Sequence, residues 1–328
     1  MKKIAIFGHD AGGSELLIEL LKASLHVGEF KVFCEKNSPC YNILKQKNLT
    51  KYLNLVEPSK KFVFQKLDKL NPDMVLYSTG WQNHTEYHFL SYAKKHKIPS
   101  IAFLDNWTNY RERFGYPASN WKKKFPDYIA THDETSEKLA SSFGLPNLIS
   151  IKNYALINQL ENFKKTLIKQ EDTLLFLSEP TAKVAKKTFN DPYYWGFDES
   201  NVFQSILKHK KEFNCDKIVV RLHPSDIADT YTNIEPNISI STASLEEDIA
   251  RAKVIIGIDS SVLYLAFLLG KKTIAFVPST NRDFHVPLPK ANQICTLENL
   301  NMNSIIINKK NTNNYGMEFA SFIKRILG

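Results

Sequence analysis

The sequence lacks the features that mark membrane-spanning, secreted or metal-binding chains. It has no run of eighteen apolar residues, so it predicts no transmembrane helix. Residues 1–8 begin a strand pattern at once and offer no signal-peptide core or cleavage site. The few cysteines have no metal-ligand or redox spacing, which predicts reduced thiols. They are Cys34, Cys40, Cys215 and Cys295. These absences predict a cytoplasmic protein.

Internal repeats, a long basic tail and any recognisable nucleic-acid-binding module are also absent. The chain is nevertheless basic, with 43 lysines and arginines against 34 aspartates and glutamates and a formal net charge of +9, which calls for an anionic partner. Because the lysines are spread along predicted helices, we expect no nucleic acid among the partners. The tract Trp-Lys-Lys-Lys-Phe at 121–125 is either a solvated face or a peripheral contact with the anionic inner surface of a membrane.

The length and composition fit two globular domains, since 328 residues with 43% hydrophobic and 23% charged residues can build two cores. Strand and helix patterns alternate twice along the chain, separated by a polar, lysine-rich stretch that begins at residue 156. We therefore expect an α/β protein with two Rossmann-like domains facing a cleft, at residues 1–155 and 156–328. The terminal helix, about 315–327, is expected to pack back across the first domain.

The first predicted strand, residues 2–7, runs into a glycine-rich turn at 8–14. His9 and Asp10 fall at the carboxyl edge of that strand, and Gly12 and Gly13 either let the backbone approach a ligand or supply a tight turn. A dinucleotide fingerprint is excluded because its third glycine is missing.

A second candidate edge follows the apolar run at 218–220, which predicts a strand buried on both faces. It ends on Arg221, His223 and Pro224, and proline cannot continue a strand ladder. Ligands of open parallel sheets bind at carboxyl ends of strands, and histidine exchanges protons near neutral pH. The alternative is a capped strand and a turn. Glu179 follows the predicted strand 173–177 and should face the same edge.

Residues 254–278 predict a strand, a helix and a parallel strand in succession. Asp259, Ser260 and Ser261 fill the turn before the helix. Hydroxyls and unpaired first-turn N–H groups suit a phosphate at that position. Serine there also serves simply as an N-cap, so both interpretations stay open.

Three loops have less specific patterns. The aromatic segment 192–197 either stacks a base or sugar or belongs to the core. The segment 281–287 could fold over a nucleotide, and the asparagine-rich segment 301–314 predicts a strand and an exposed turn.

Arg-Leu-His-Pro at 221–224 followed by Asp-Ser-Ser at 259–261 resembles the motifs of bacterial GT-B glycosyltransferases that use CMP-activated keto sugars. That family includes sialyltransferases, polysialyltransferases and Kdo transferases. The resemblance implies that His223 contacts or protonates the departing phosphate and that the serines bind it. It also implies an acceptor-binding first domain and a nucleotide-sugar-binding second domain.

Asp105, at the end of the predicted strand 98–104, is the carboxylate we expect to act as base. Its position resembles that of the family's aspartate, which deprotonates the acceptor hydroxyl. Asp105 has a structural alternative, since it could cap the following turn or pair with Arg111 or Arg113. Asp10 and Glu179 are the other candidates for the base.

Together these patterns predict an inverting, metal-independent glycosyltransferase without a cofactor. The resemblance implies a CMP-linked donor carrying a sialic-acid-like or Kdo residue, and the acceptor is expected to be a surface glycan, lipid-linked or acidic. No Asp-x-Asp pair or His/Cys cluster predicts a metal site. The alternatives are a nucleotide-sugar epimerase or hydrolase, a CDP-glycerol-type phosphotransferase, and a non-catalytic nucleotide- or sugar-binding protein.

Overall fold

The structure is a computed structural model that describes residues 1–80, 84–165, 167–223, 226, 231, 237–309 and 315–328. The chain divides into two compact units. Unit 1 comprises Met1–Asn158 and Asn313–Gly328, and unit 2 comprises Gln159–Thr312. The predicted second domain ran from 156 to 328, whereas the structure assigns the last part of that range to unit 1.

Unit 1 is built on a parallel sheet in the order β3-β2-β1-β4-β5-β6-β7. Its strands are β1 (Lys2–Phe7), β2 (Gly28–Cys34), β3 (Leu53–Leu55), β4 (Met74–Ser78), β5 (Ser100–Phe103), β6 (Tyr128–Thr131) and β7 (Leu148–Ser150). Its helices are α1 (Ala11–Ser24), α2 (Pro39–Gln46), α3 (Lys60–Leu70), α4 (Glu86–His96), α5 (Glu134–Ser142) and α11 (Phe319–Leu327), and α6 (Tyr154–Lys164) runs across the boundary along the chain.

Both faces of this sheet are covered because strand side chains alternate between two cores. Ile4 and Ile6 of β1 belong to the core shared with α1, α2 and α11. Ala5 and Phe7 belong to the opposite core, shared with α3, α4 and α5. Such two-sided burial explains why the strands are continuous apolar runs and not alternating ones.

Helix α1 begins at Ala11, so Gly12 and Gly13 lie in the helix, whereas the sequence predicted a turn over residues 8–14. Neither glycine has a positive φ. Gly13 is needed for close approach, because a Cβ there would lie 2.4 Å from Cβ of Ser78 at the end of β4. The glycine pair therefore lets the helix start press against the neighbouring strand end.

The chain returns to unit 1 through Met317, which forms a parallel bridge with Ile151. Gly316 has φ +88, and a Cβ there would lie 2.6 Å from the backbone of Ile151, so glycine is required. Helix α11 then begins at Phe319, later than predicted. It buries Phe319, Phe322 and Ile323 in the same core as α1.

Unit 2 has a second parallel sheet, in the order β10-β9-β8-β11-β12-β13. Its strands are β8 (Thr173–Leu177), β9 (Lys217–Arg221), β10 (Ile238–Ile240), β11 (Val254–Gly257), β12 (Lys272–Phe276) and β13 (Gln293–Ile294). Its helices are α7 (Thr181–Phe189), α8 (Glu199–Lys208), α9 (Leu245–Arg251) and α10 (Ser261–Leu268).

Two loop predictions for unit 2 change. Within 301–309, the described part of the asparagine-rich segment, the chain forms turns and no strand, so the predicted strand is wrong there. The aromatic segment divides between the two interpretations. Phe197 is buried in the core, whereas Tyr193 and Tyr194 are exposed.

The buried face of α11 yields a prediction for the stability of unit 1. Phe322→Ala removes a fully buried ring and should lower the free energy of unfolding by about 3–5 kcal/mol. Lys324→Ala, at an exposed position of the same helix, should change it by about 0.5 kcal/mol or less. Urea denaturation measures the loss, and hydrogen exchange should place it in β1 and α1. Loss of protection confined to unit 2 would contradict the assignment.

Candidate functional site

Each sheet reverses its strand order at one point. In unit 2 the reversal lies between β8 and β11, and in unit 1 between β1 and β4. Loops leaving two such adjacent strands diverge and open a crevice, which is where open parallel sheets bind ligands. Glu179 follows β8, and Asp259 and Ser260 follow β11. The unit 2 reversal thus collects three of the predicted site residues.

Asp259 organises this end of unit 2. Its backbone N–H donates to Oε1 of Glu179 at 2.6 Å. Its carboxylate Oδ1 accepts the backbone N–H groups of His285 (3.0 Å) and Val286 (2.9 Å). Its Oδ2 makes a short hydrogen bond with Nδ1 of His285. The side chain is 5% exposed, so one buried carboxylate fixes the loop that follows β12.

Arg282, on the same loop, adds a cation to the pair of acids. Its Nη2 lies 3.8 Å from Oε2 of Glu179 and 3.7 Å from Oδ2 of Asp259. Its guanidinium stacks over Trp195, 4.6 Å from the ring centroid. The segment 281–287 was expected to fold over a nucleotide, but neither Arg282 nor His285 was predicted as a site residue. Their position after a strand of the same sheet was the available signal.

Burial raises the pKa of the Glu179 carboxyl to about 7. The Arg282 guanidinium opposes that rise, and the nearby Asp259 carboxylate adds to it. A carboxyl with this pKa can exchange a proton near neutral pH, as acid–base groups in active sites do.

Ser260 and Ser261 lie at the start of α10, as predicted from the sequence. Ser260 is the N-cap, and its Oγ accepts the N–H of Val262 at 3.3 Å. Ser261 is the first helical residue and is exposed. The first turn carries no acidic residue, so the positive end of the helix dipole is not neutralised locally.

The neighbouring strand β9 positions the other predicted residues. His223 is exposed, its backbone N–H donates to Oδ2 of Asp226 at 3.2 Å, and partial burial lowers the pKa of its imidazole. Arg221 turns to α9, where its Nη1 donates to Oδ2 of Asp248 at 2.6 Å and to the carbonyl of Ala243 at 3.0 Å. Arg221 is thus held in an ion pair within the fold. Pro224 lies outside the described residues.

Beside the unit 1 reversal, Asp105, which follows β5, forms a largely buried ion pair with Arg113. The distance from Arg113 Nη1 to Asp105 Oδ1 is 2.6 Å. The same nitrogen donates to the carbonyl of Thr79 at 2.7 Å. The structural alternative for Asp105 is therefore the arrangement observed. Its other oxygen, Oδ2, lies toward α1, 3.0 Å from where a Cβ of Gly12 would be.

His9 and Asp10 lead from β1 into α1. Nε2 of His9 is 3.9 Å from Oδ1 of Asp10, and the His9 carbonyl accepts the N–H of Cys40. Asp10 occupies the N-cap position of α1, so Asp10, Gly12, Gly13 and Asp105 share one end of unit 1. Glu179, Asp259 and Ser260 therefore lie together in unit 2, and Asp10, Gly12, Gly13 and Asp105 in unit 1, whereas Arg221 pairs with Asp248 instead.

The described residues contain neither a metal-binding cluster nor a membrane-spanning helix. No group of three His, Cys, Asp or Glu side chains is arranged to hold a metal ion in the described ranges. In the same part of the chain, no helix is long and apolar enough to span a membrane. The basic tract at 121–125 forms a 3-10 helix (Trp121–Lys124), and the Trp121 ring packs edge-on against Tyr116 and Phe125.

Comparison with solved structures identifies the fold. A Listeria monocytogenes protein assigned as a UDP-N-acetylglucosamine 2-epimerase matches with a TM-score of 0.58 and 12% identity, over 92% of this chain and 85% of that chain. Anabaena Alr3699/HepE, solved in complex with UDP, matches with 0.56 and 11%, over 100% and 90%. The spinosyn rhamnosyltransferase SpnG, complexed with thymidine diphosphate, matches with 0.51 and 9%, over 84% and 80%.

These likenesses establish an α/β fold of the GT-B type, as expected. Identities this low carry the fold alone, because unrelated functions share such folds. No protein-family profile matches the chain, and no curated protein matches it.

Glu179→Gln tests the raised pKa of this carboxyl. Because its folded pKa of about 7 exceeds the ordinary 4.5, its contribution to stability is complete below about pH 4.5 and is lost as the pH rises through about 7. The free energy of unfolding of the wild type minus that of the variant should fall by on the order of 1–3 kcal/mol across this window and then level off. Urea denaturation from about pH 4.5 to pH 8 measures it.

The matched control is Glu298→Gln, at an exposed glutamate of the same unit. A difference between wild type and Glu179→Gln that does not vary with pH would mean that the carboxyl ionises as in water.

Proposed function

We propose that this protein is a glycosyltransferase that moves a sugar from a nucleotide donor to a glycan acceptor, with inversion and without a metal. The observation that carries the proposal is the cluster at the β8/β11 reversal, where Glu179 and Asp259, the residue before Ser260, meet Arg282 and His285. Carboxyl groups suit the ribose hydroxyls of a nucleotide, and a helix start suits its phosphate.

In this proposal unit 2 binds the donor. Ser260 and Ser261 present hydroxyls and first-turn N–H groups of α10 to the phosphate. His223, on the neighbouring strand end, contacts or protonates that phosphate as it departs. Arg221 is left as a structural residue because Asp248 already neutralises it.

Asp105 of unit 1 is proposed to take the proton of the acceptor hydroxyl. The acceptor oxygen then bonds to the anomeric carbon, and the bond from that carbon to the phosphate breaks with its electron pair on the phosphate oxygen. Arg113 holds one carboxylate oxygen, which orients the other toward α1. Asp10 and Glu179 are the alternative candidates for the base, and the site variants described below test them as well.

The donor is proposed to be a CMP-activated keto sugar, such as a sialic-acid-like or Kdo residue. The support is the resemblance of the His-Pro and Ser-Ser motifs. Against it stands the likeness in fold to proteins solved with UDP and thymidine diphosphate. The formal charge of +9 favours an acidic or lipid-linked acceptor, and cytoplasmic polysaccharide synthesis at the inner membrane surface would suit it.

A nucleotide-sugar epimerase is the second candidate, favoured by the likeness to the assigned UDP-N-acetylglucosamine 2-epimerase and by the pKa of Glu179 near neutrality. An epimerase converts its donor without an acceptor. Incubating UDP-N-acetylglucosamine with the protein alone, followed by proton NMR, separates the two functions. Rapid conversion would establish the epimerase and reject the transferase. A phosphodiester product formed with an acceptor would instead identify a phosphotransferase.

Nucleotide binding gives the first prediction of this proposal. Isothermal titration should show CMP binding at least about tenfold more tightly than UDP or thymidine diphosphate, with the same affinity in EDTA and in Mg²⁺. The reason is that a monophosphate carries less charge to neutralise than a metal-bridged diphosphate. Tighter binding of UDP, or dependence on Mg²⁺, would contradict the CMP donor. No nucleotide binding at all would leave a non-catalytic protein.

Site variants give the second prediction. Asp105→Asn should abolish transfer and leave nucleotide affinity unchanged, because the base acts on the acceptor. Ser260→Ala should lower transfer about a hundredfold through loss of a phosphate contact. One control is Asp127→Asn, just before β6, whose carboxylate accepts the N–H of Ser100 at the amino end of β5. The other is Ser244→Ala, which removes the N-cap of α9.

Because both serine variants lose an N-cap, each should lose about 1 kcal/mol of stability, but only Ser260→Ala should lose activity. Normal transfer by Asp105→Asn together with an inactive Asp10→Asn or Glu179→Gln would move the base to that residue.

A further inference from the structure

The loop between β12 and β13 brings the side chains of Arg282 and His285, which have no role in the proposed function so far, close to Asp259. Asp259 accepts two backbone N–H groups from this loop, at His285 and Val286, at 3.0 and 2.9 Å. The loop is therefore tied to the end of β11 by a buried carboxylate. Side chains on a loop held in this way are preorganised for a ligand.

Arg282 is incompletely hydrogen-bonded. Its Nη2 lies 3.8 and 3.7 Å from the Glu179 and Asp259 carboxylates, inside ion-pair range but beyond the usual hydrogen-bond distance of about 2.7–3.2 Å. Its Nη1 is buried and has no hydrogen-bond partner among the described residues. The rings of Trp195 and Phe197 lie 4.6 and 6.0 Å from the guanidinium carbon. Buried donors without acceptors are rare in native proteins and call for an explanation.

His285 is oriented by the same aspartate. Its Nδ1 is engaged by Oδ2 of Asp259, and its side chain is 38% exposed. A carboxylate that holds one ring nitrogen fixes the orientation of the imidazole and directs the other nitrogen, Nε2, to a different partner.

The two acids do not prevent an anion from binding here. The oxygens of Asp259 already accept three N–H donors, so its charge is largely compensated within the protein. Glu179, with a pKa of about 7, carries a proton in a substantial fraction of molecules at neutral pH and can donate it to an oxygen of a ligand.

We propose that Arg282 and His285 bind the phosphate of the nucleotide donor at the β8/β11 reversal, with Asp259 holding their loop in place. Arg282 donates through Nη1. His285, with both ring nitrogens protonated, donates through Nε2 while its Nδ1–H stays on Asp259, beside the helix start at Ser260. This inference rests on the proposed nucleotide-dependent function and adds two residues of a phosphate subsite to it.

Titration of CMP and of cytidine into the full chain tests the proposal. Arg282→Gln should weaken CMP binding by about 10- to 100-fold, the range expected for a charged hydrogen bond, and leave cytidine binding unchanged. Arg251→Gln is the matched control, since it removes one positive charge from an exposed arginine of unit 2. It should leave both affinities unchanged.

Two more variants separate binding from folding. Arg282→Lys keeps the charge that the acids require but loses the planar donors, so it should fold normally and still weaken CMP binding several-fold. His285→Gln should also weaken CMP but not cytidine, whereas His209→Gln, on the C-terminal end of α8, should weaken neither.

Unchanged CMP affinity in folded Arg282→Lys and His285→Gln, with the wild type still binding CMP, would overturn this inference and leave the proposed function standing. Inorganic pyrophosphate is the second probe. The wild type could bind pyrophosphate but no nucleotide, with pyrophosphate binding lost in Arg282→Gln. That result would support the phosphate subsite and contradict the nucleotide-dependent function. A wild type that binds none of these ligands would overturn both.

Discussion

The carboxylate of Asp259 is the interaction on which the candidate site of unit 2 depends. Through one buried residue, the end of β8, the start of α10 and the loop after β12 are connected. A buried charge without such partners is strongly destabilising, so removing any of them affects the others. The loops at this end of the sheet are held in place by hydrogen bonds to the Asp259 carboxylate.

In unit 1 a guanidinium connects the loops that follow adjacent strands. Arg113 donates to the Asp105 carboxylate, to Thr79 and to the carbonyl of Thr108, and so joins the ends of β4 and β5. In both units a buried ion fixes loops that leave adjacent parallel strands. The acidic partner in unit 1 also faces the glycine pair of α1, where any side chain at Gly13 would collide with Ser78.

Much of the fold follows from local sequence pattern, since buried parallel strands are continuous apolar runs and helix starts carry their own caps. The N-cap at Ser260 was predicted in this way. Contacts between residues far apart in the chain could not be predicted in this way. The sequence around Arg221 does not predict its pairing with Asp248, and the sequence around Glu179 does not predict its contacts with Asp259 and Arg282. The topology of the sheet brings these residues together. The helix start at Ala11 was missed because glycine disfavours helices unless packing requires it.

Unit 2, Gln159–Thr312, is inserted within the sequence of unit 1, whose last segment pairs with Ile151 through Met317. During synthesis, the ribosome makes all strands of unit 2 before the helix that closes one face of the first sheet. Until α11 arrives, the apolar face formed by Ile4, Leu20 and Ile101 lacks the cover of Phe319 and Phe322. Unit 2 can complete its core earlier, because its residues are contiguous. Unit 1, whose synthesis begins first, is therefore the last to complete its fold. Until α11 packs, its uncovered apolar face is a surface to which chaperones can bind.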